Sequence, residues 1–314
     1  MYIGVDLGGT NIAAALVSED GAIVKRSGRP SNAAKGAPAV IEGLLQTCGD
    51  LQAGEAGEPA AIGLGIPGTV DSDRGEIIFT PNLPLSGVNI SGEIRKKYSC
   101  PIYLGNDANC AALGETVAGG ARNAKNVVFI TLGTGIGGGV VIDGRLYTGA
   151  SGAGCELGHM LLYAGGRQCT CGRRGCWETY ASATGLVITA AEYMEKNRDS
   201  VLWSLCGGNT AQLSGKVIFG AYRDGDSTAL KIIETYTQQL AEGIVSLINM
   251  FEPEMVCVGG GVSSAWDCLE GPVSKIVDTD TFYRFLPREQ RTRIVKAQLG
   301  NDAGIIGAAM LGKR

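Results

Sequence analysis

The 314-residue sequence predicts an α/β protein built on a duplicated core. Three observations carry that expectation. Two glycine-turned strand meanders occur, one opening the chain and one at its middle. Buried strands alternate with helices between and after them. The 49 glycines gather at turns instead of spreading as they would in a flexible linker.

Residues 2–7 form a short apolar run turned by Gly8-Gly9-Thr10-Asn11, and residues 12–17 run back. A second turn at Glu19-Asp20-Gly21 leads to a third strand over 22–26. Paired glycines between apolar runs signal a hairpin. The pattern returns with 127–132, the turn Gly133-Thr134-Gly135-Ile136-Gly137, the run 138–142, the turn Asp143-Gly144 and a strand over 145–147. Between the meanders, 60–66 reads as a buried strand ending in Pro67-Gly68. Another, over 102–104, ends in Gly105-Asn106-Asp107, and a helix follows over 108–118. Ala229, Ile232, Ile233, Tyr236, Leu240, Ile244, Leu247 and Ile248 recur at helical spacing, predicting a long amphipathic helix stopped near Pro253. A short strand over 255–258 runs into Gly259-Gly260-Gly261. The final helix, 303–311, has a thin face of Gly304, Gly307 and Ala308 suited to close packing. The expected division is a small lobe of 1–118 with 303–314 and a large lobe of 119–302, the last helix returning to the first lobe.

The formal net charge is −4, with no long basic run, which argues against nucleic-acid and membrane-surface partners. The opening Met-Tyr-Ile-Gly-Val-Asp lacks the basic and apolar regions of a signal peptide. No window is apolar for the length of a membrane span. The expectation is a cytoplasmic protein. In that reducing compartment the 10 cysteines do not imply disulfides. Cys48, Cys110, Cys206 and Cys257 sit singly in apolar runs and read as small buried hydrophobes. Cys169, Cys171 and Cys176 do not fit that description.

Asp6-Leu7-Gly8-Gly9-Thr10 stands at a strand end. Glycines there let backbone N–H groups approach an anion, Thr10 can add a hydroxyl, and an acid can hold Mg²⁺ directly or through water. Alone, the segment reads equally as a plain hairpin turn. Gly133-Thr134-Gly135-Ile136-Gly137-Gly138 formally matches G-x-G-x-x-G. A dinucleotide fingerprint must open a helix, and here a strand follows, so a glycine hairpin facing a phosphate fits better. Gly259-Gly260-Gly261 offers a flat surface for a base or ribose, although the motif by itself reads better as a helix-entry turn.

His159 is the single histidine and precedes the three cysteines in the pattern H-x₉-C-x-C-x₄-C. Three thiolates and one imidazole make a closed tetrahedral set typical of structural zinc. The set leaves no open position for a catalytic water, which argues against a zinc hydrolase. C-x-C is not the redox spacing C-x-x-C. Acids and amides surround the motif: Glu156 just before it, Glu178 just after Cys176, and Asn106-Asp107 at a strand end. Such groups grip sugar hydroxyls, which both donate and accept.

Asp6-Leu7-Gly8-Gly9-Thr10, Asn106-Asp107-Ala108-Asn109, Glu156-Leu157-Gly158-His159 and Cys169-Thr170-Cys171-Gly172 through Gly175-Cys176-Trp177-Glu178 resemble the ROK family (repressors, open reading frames and kinases) over nearly the whole chain. Within it the sequence is most similar to bacterial glucokinases. The resemblance implies a duplicated actin-like, hexokinase-like ATPase fold of two α/β lobes. It implies transfer of phosphate from Mg-ATP to the 6-hydroxyl of glucose, with Asp107 as catalytic base. Asn106, Glu156, His159 and Glu178 would hold the sugar, with Gly68 and Asn82 on its rim. Asp6, Gly8, Gly9, Thr10 and Asn11 and the turn Gly133, Thr134 and Gly135 would meet the ATP phosphates, and Gly259, Gly260 and Gly261 the adenosine. His159, Cys169, Cys171 and Cys176 would bind a structural zinc ion. A homodimer or homotetramer is implied. Fructose, mannose, allose or N-acetylmannosamine remain alternative substrates, and a sugar-responsive regulator is the alternative class. Cys155 departs from the pattern, standing where the family often has glycine before the glutamate.

Overall fold

The computed structural model describes residues 1–313. Arg314, with which the expected small lobe ends, lies outside the described residues. The chain forms two compact units. One holds Met1–Phe129, Gly138–Cys155 and the stretch from Ala297; the other holds Ile130–Gly137 and Glu156–Lys296.

The first sheet begins with the expected meander of β1 (Tyr2–Leu7), β2 (Asn11–Val17) and β3 (Ile23–Pro30). β1 and β2 pair antiparallel from Tyr2↔Val17 to Leu7↔Ile12. α1 (Ala37–Gln52) follows, then β4 (Ile62–Ile66), which lies parallel to β1. Every residue of β4 is buried, which explains its unbroken apolar run. A small hairpin of β5 (Thr69–Asp71) and β6 (Glu76–Phe79) and the short α2 (Ile90–Arg95) lead to β7 (Ile102–Asn106), parallel to β4. α3 (Asp107–Ala118) starts directly at the end of β7. The sheet order is β3-β2-β1-β4-β7. On one face Ile3, Val5 and Leu7 pack with Leu44, Cys48 and Leu51 of α1.

The second meander is β8 (Val127–Leu132), β9 (Ile136–Ile142) and β10 (Arg145–Tyr147). β9 begins at Ile136, two residues before the apolar run that predicted it, and a side-chain carboxylate holds the Ile136 N–H. A helical stretch follows: α4 (Glu178–Ala181), α5 (Ala183–Lys196), α6 (Leu202–Leu205), α7 (Gly215–Arg223) and the long α8 (Ser227–Phe251). Asp226 caps α8 by accepting from Ala229 N at 2.7 Å, and Glu252 ends it in a left-handed conformation just before Pro253. β11 (Met255–Gly259), α9 (Trp266–Asp280) and β12 (Arg293–Lys296) complete a sheet of order β10-β9-β8-β11-β12. That order repeats the first sheet, a meander of three strands followed by two crossover strands, as the paired glycine meanders predicted.

α10 (Asp302–Met310) packs on α3, β1 and β4 of the first unit, so the last helix returns to the opening sheet. Its thin face lets backbones meet. A Cβ added at Gly307 would fall against the Cys110 carbonyl, and one at Gly63 against the Ala308 carbonyl. Ile305, Ile306, Ala309 and Met310 join Ala15, Val17 and Leu113 in a second core. No helix among the described residues is long and apolar enough to cross a membrane.

Candidate active site and metal centre

In the first unit the chemistry gathers at the ends of β1 and β7. The turn after β1 closes through Gly8 N donating to Asn11 O at 2.9 Å. Ser31, the residue after β3, holds it, its hydroxyl donating to Gly9 O at 2.6 Å and its N–H to Thr10 O at 2.8 Å. Ser31 was invisible in the sequence, since nothing local marks a serine after a strand as a brace. Asn82 lies against Gly9, where an added Cβ would meet the asparagine Cβ at 3.0 Å. Thr10 and Asn11 are exposed.

Asn106 joins two elements. Its side-chain oxygen caps α3, accepting from Ala108 N at 2.9 Å and Asn109 N at 3.2 Å, while its Nδ2 donates to Gly68 O at 3.1 Å. Gly68 needs its glycine: its φ is 120°, and a Cβ would collide with the Phe79 carbonyl. Asp107 is the first residue of α3 and keeps a face open to solvent. The protein packed around its carboxyl pushes it above the usual range, against the pull of the Ala108 N–H. Asp6, half-buried at the end of β1, is raised from 3.8 to about 6, first by burial and then by the charge of Asp107.

In the second unit, Gly133, Thr134 and Gly135 form the turn between β8 and β9, closed by Gly133 N donating to Gly135 O at 3.0 Å. Ala183 N donates to Gly133 O at 2.8 Å, and the Thr184 hydroxyl donates to Thr134 O at 2.7 Å. Glu178, expected at the sugar, spends one carboxylate oxygen on Ile136 N at 2.9 Å. Gly135 lies so close to that oxygen that a Cβ has no room. Gly260, left-handed at φ 83°, passes the backbone of Leu132, whereas Gly261 faces open space. Glu156 is exposed and precedes the short 3₁₀ turn Leu157–His159 without using its side chain as a cap.

His159 and the three cysteines converge. Their ligand atoms all lie within 4.8 Å of one another. Cys169 Sγ is 3.6 Å from His159 Nδ1, and Cys171 Sγ is 3.7 Å from Cys176 Sγ. Metal bonds of about 2.3 Å to sulfur and about 2.0 Å to nitrogen give tetrahedral edges of about 3.5 Å (S to N) and about 3.8 Å (S to S), so these two separations match a zinc site. The knuckle turns at left-handed Gly172 and Gly175, and Cys169 N donates to Arg173 O at 2.8 Å. The thiols lie against one another: burial, followed by the neighbouring Cys171 and Cys169, pushes Cys176 up to about 12. The exposed Cys171 is lowered, chiefly by the Arg173 N–H. A dication would relieve that crowding by stabilising all three thiolates together.

Cys155 occupies the left-handed region at φ 64°. The departure noted in the sequence therefore falls at a position whose backbone suits glycine.

A model of the ROK family matches residues 2–314. A glucokinase of Thermotoga maritima is 40% identical over 312 residues, covering 98% of this chain and 96% of that protein. A ROK glucokinase of Streptomyces griseus, solved with glucose and AMPPNP, superposes with a TM-score of 0.75 at 33% identity, covering 99% of both chains. A ROK transcriptional regulator, a homolog of the E. coli MLC protein, superposes at 0.82 with 25% identity; this chain covers 77% of it.

Proposed function

The chain belongs to the ROK family, and we propose that it is an ATP-dependent glucokinase transferring the γ-phosphoryl group to the 6-hydroxyl of glucose. The observation that carries the reading is Asn106-Asp107: the asparagine locks the start of α3, and the aspartate carboxyl, raised by its surroundings, stays open to solvent. The 40% and 33% identities to glucokinases along the full chain support the substrate.

In this reading Asp107 accepts the proton of the 6-hydroxyl as that oxygen attacks the γ-phosphorus. Its raised basicity suits proton acceptance, and general-base help is worth roughly 10²–10⁴-fold. Asn106, Glu156, His159 and Glu178 hold the sugar hydroxyls, with Gly68 and Asn82 at the rim. The turns at Gly8–Asn11 and Gly133–Gly135 offer N–H groups to the phosphates, and Gly259, Gly260 and Gly261 offer a flat seat for adenosine. Asp6 would hold Mg²⁺, directly or through water; that ion supplies charge neutralisation of the phosphates. His159, Cys169, Cys171 and Cys176 would hold zinc, which supplies a fixed knuckle. His159 faces Cys169 with Nδ1, which leaves Nε2 for a sugar hydroxyl. Thiol ligands suit a reducing cytoplasm, where we expect a homodimer or homotetramer.

The test is ADP release from Mg-ATP by the zinc-loaded protein with a panel of hexoses and N-acetylhexosamines. Glucose preference is expected. Preference for another sugar would overturn the substrate and leave the kinase chemistry standing. No sugar-dependent release would overturn the enzyme reading and favour a regulator.

A further inference from the structure

The turn from Gly133 to Ile136 is held from outside its own strands. One short segment makes three hydrogen bonds to it. Glu178 Oε2 accepts from Ile136 N at 2.9 Å, Ala183 N donates to Gly133 O at 2.8 Å, and Thr184 Oγ1 donates to Thr134 O at 2.7 Å. That segment begins two residues after Cys176. Its first carboxylate also faces the metal cluster, with Glu178 Oε1 3.7 Å from Cys169 Sγ.

The junction between cluster and brace is rigid. Trp177, fully buried, donates its N–H to Met160 O at 2.8 Å, next to His159, and its indole N–H to Gln239 O at 2.8 Å. Cys176, Trp177 and Glu178 are consecutive, so the loop that carries the thiols and the side chain that holds the turn cannot move independently. Gly135 transmits any displacement directly, because its backbone is in contact with the Glu178 carboxylate and no side chain intervenes.

We propose that the cysteine cluster sets nucleotide affinity as well as sugar affinity, with Glu178 and Thr184 acting as positioning residues for the glycine turn. The proposal rests on the reading of that turn as a phosphate loop. A metal-filled cluster holds the Cys169–Cys176 loop in one conformation, which holds Glu178 and the helix after it. The N–H groups of the turn are then oriented before nucleotide arrives, and less ordering is needed on binding. An empty cluster leaves the loop several conformations and the turn with it.

The experiment is calorimetric titration of the full chain with MgADP, without sugar. The zinc-loaded wild type is compared with the chelator-stripped wild type and with zinc-loaded Thr184→Val and Thr184→Ser. Zinc content and far-UV circular dichroism are followed in parallel. Stripping is expected to weaken MgADP about tenfold with secondary structure retained, and Thr184→Val about fivefold at full zinc content. Thr184→Ser, which restores the hydroxyl, should keep wild-type affinity. If stripping unfolds the chain, the two Thr184 variants decide. Undiminished MgADP affinity in the folded, stripped protein or in Thr184→Val overturns the proposal, as does equal loss in the serine and valine variants. No MgADP binding by the zinc-loaded wild type overturns the kinase reading itself and this proposal with it.

Discussion

The carboxylates of Asp6 and Asp107 stand close enough for the charge of one to reach the other: burial raises both, and at Asp6 the charge of Asp107 adds to it. Asp6 stands at about 6 against an ordinary 3.8. Its folded value is raised, so its contribution to stability is complete below about 3.8 and is lost as pH rises through about 6. A displacement of that size corresponds to at most about 3 kcal/mol. Asp6→Asn should therefore raise the melting temperature of the metal-free, nucleotide-free protein at pH 8 and leave it nearly unchanged at pH 4. An equal effect at both pH values would show that the charge is not the cause.

Asp107→Asn should still bind glucose, because the amide keeps the shape and Asn106 still caps α3. Turnover should fall by roughly 10²–10⁴-fold. Steady-state kinetics together with glucose titration separate the two effects; near-normal kcat would remove Asp107 from the role of base.

Cys171→Ser takes one ligand from the exposed corner of the cluster. Zinc content and glucose affinity should fall together, since His159 belongs to both sets in the proposed reading. Metal analysis and glucose titration of the same preparation check this. Intact glucose affinity in a zinc-free, folded chain would uncouple metal from sugar.

Cys155 carries a Cβ in the left-handed region, which costs an L-residue about 1–2 kcal/mol. Its thiol recovers part of that by donating to Tyr147 O at 3.2 Å. Cys155→Gly should stabilise the protein by about 0.5–1 kcal/mol, read as a higher denaturant midpoint at unchanged slope. A lower midpoint would mean that the contacts of the thiol outweigh the strain.

Gly307→Ala adds one methyl group where the Cys110 carbonyl already lies. α10 would have to lift from α3, and a loss of at least about 3 kcal/mol is expected by denaturant unfolding. Gly220→Ala, on the open side of α7, is the matched control and should be neutral or slightly stabilising.

Local chemistry was legible along the chain. Paired glycines between apolar runs marked both meanders, Asn106 before a helical run marked the cap of α3, and the spacing of His159, Cys169, Cys171 and Cys176 marked a tetrahedral ligand set. These signals are carried by residues near one another in sequence, whose geometry the backbone itself constrains. The bracing around the site was not legible. Ser31 on Gly9, Glu178 on Ile136 and Thr184 on Thr134 span separations of 22, 42 and 50 residues, and no periodicity or spacing records such a pairing. The sequence by itself determined which strands turn, where α3 starts and which four side chains can share a metal. Only the tertiary structure decided that the cysteine loop and the glycine turn are joined through one carboxylate, because that bond exists only once the fold brings Glu178, the first residue of α4, to Ile136, the first of β9.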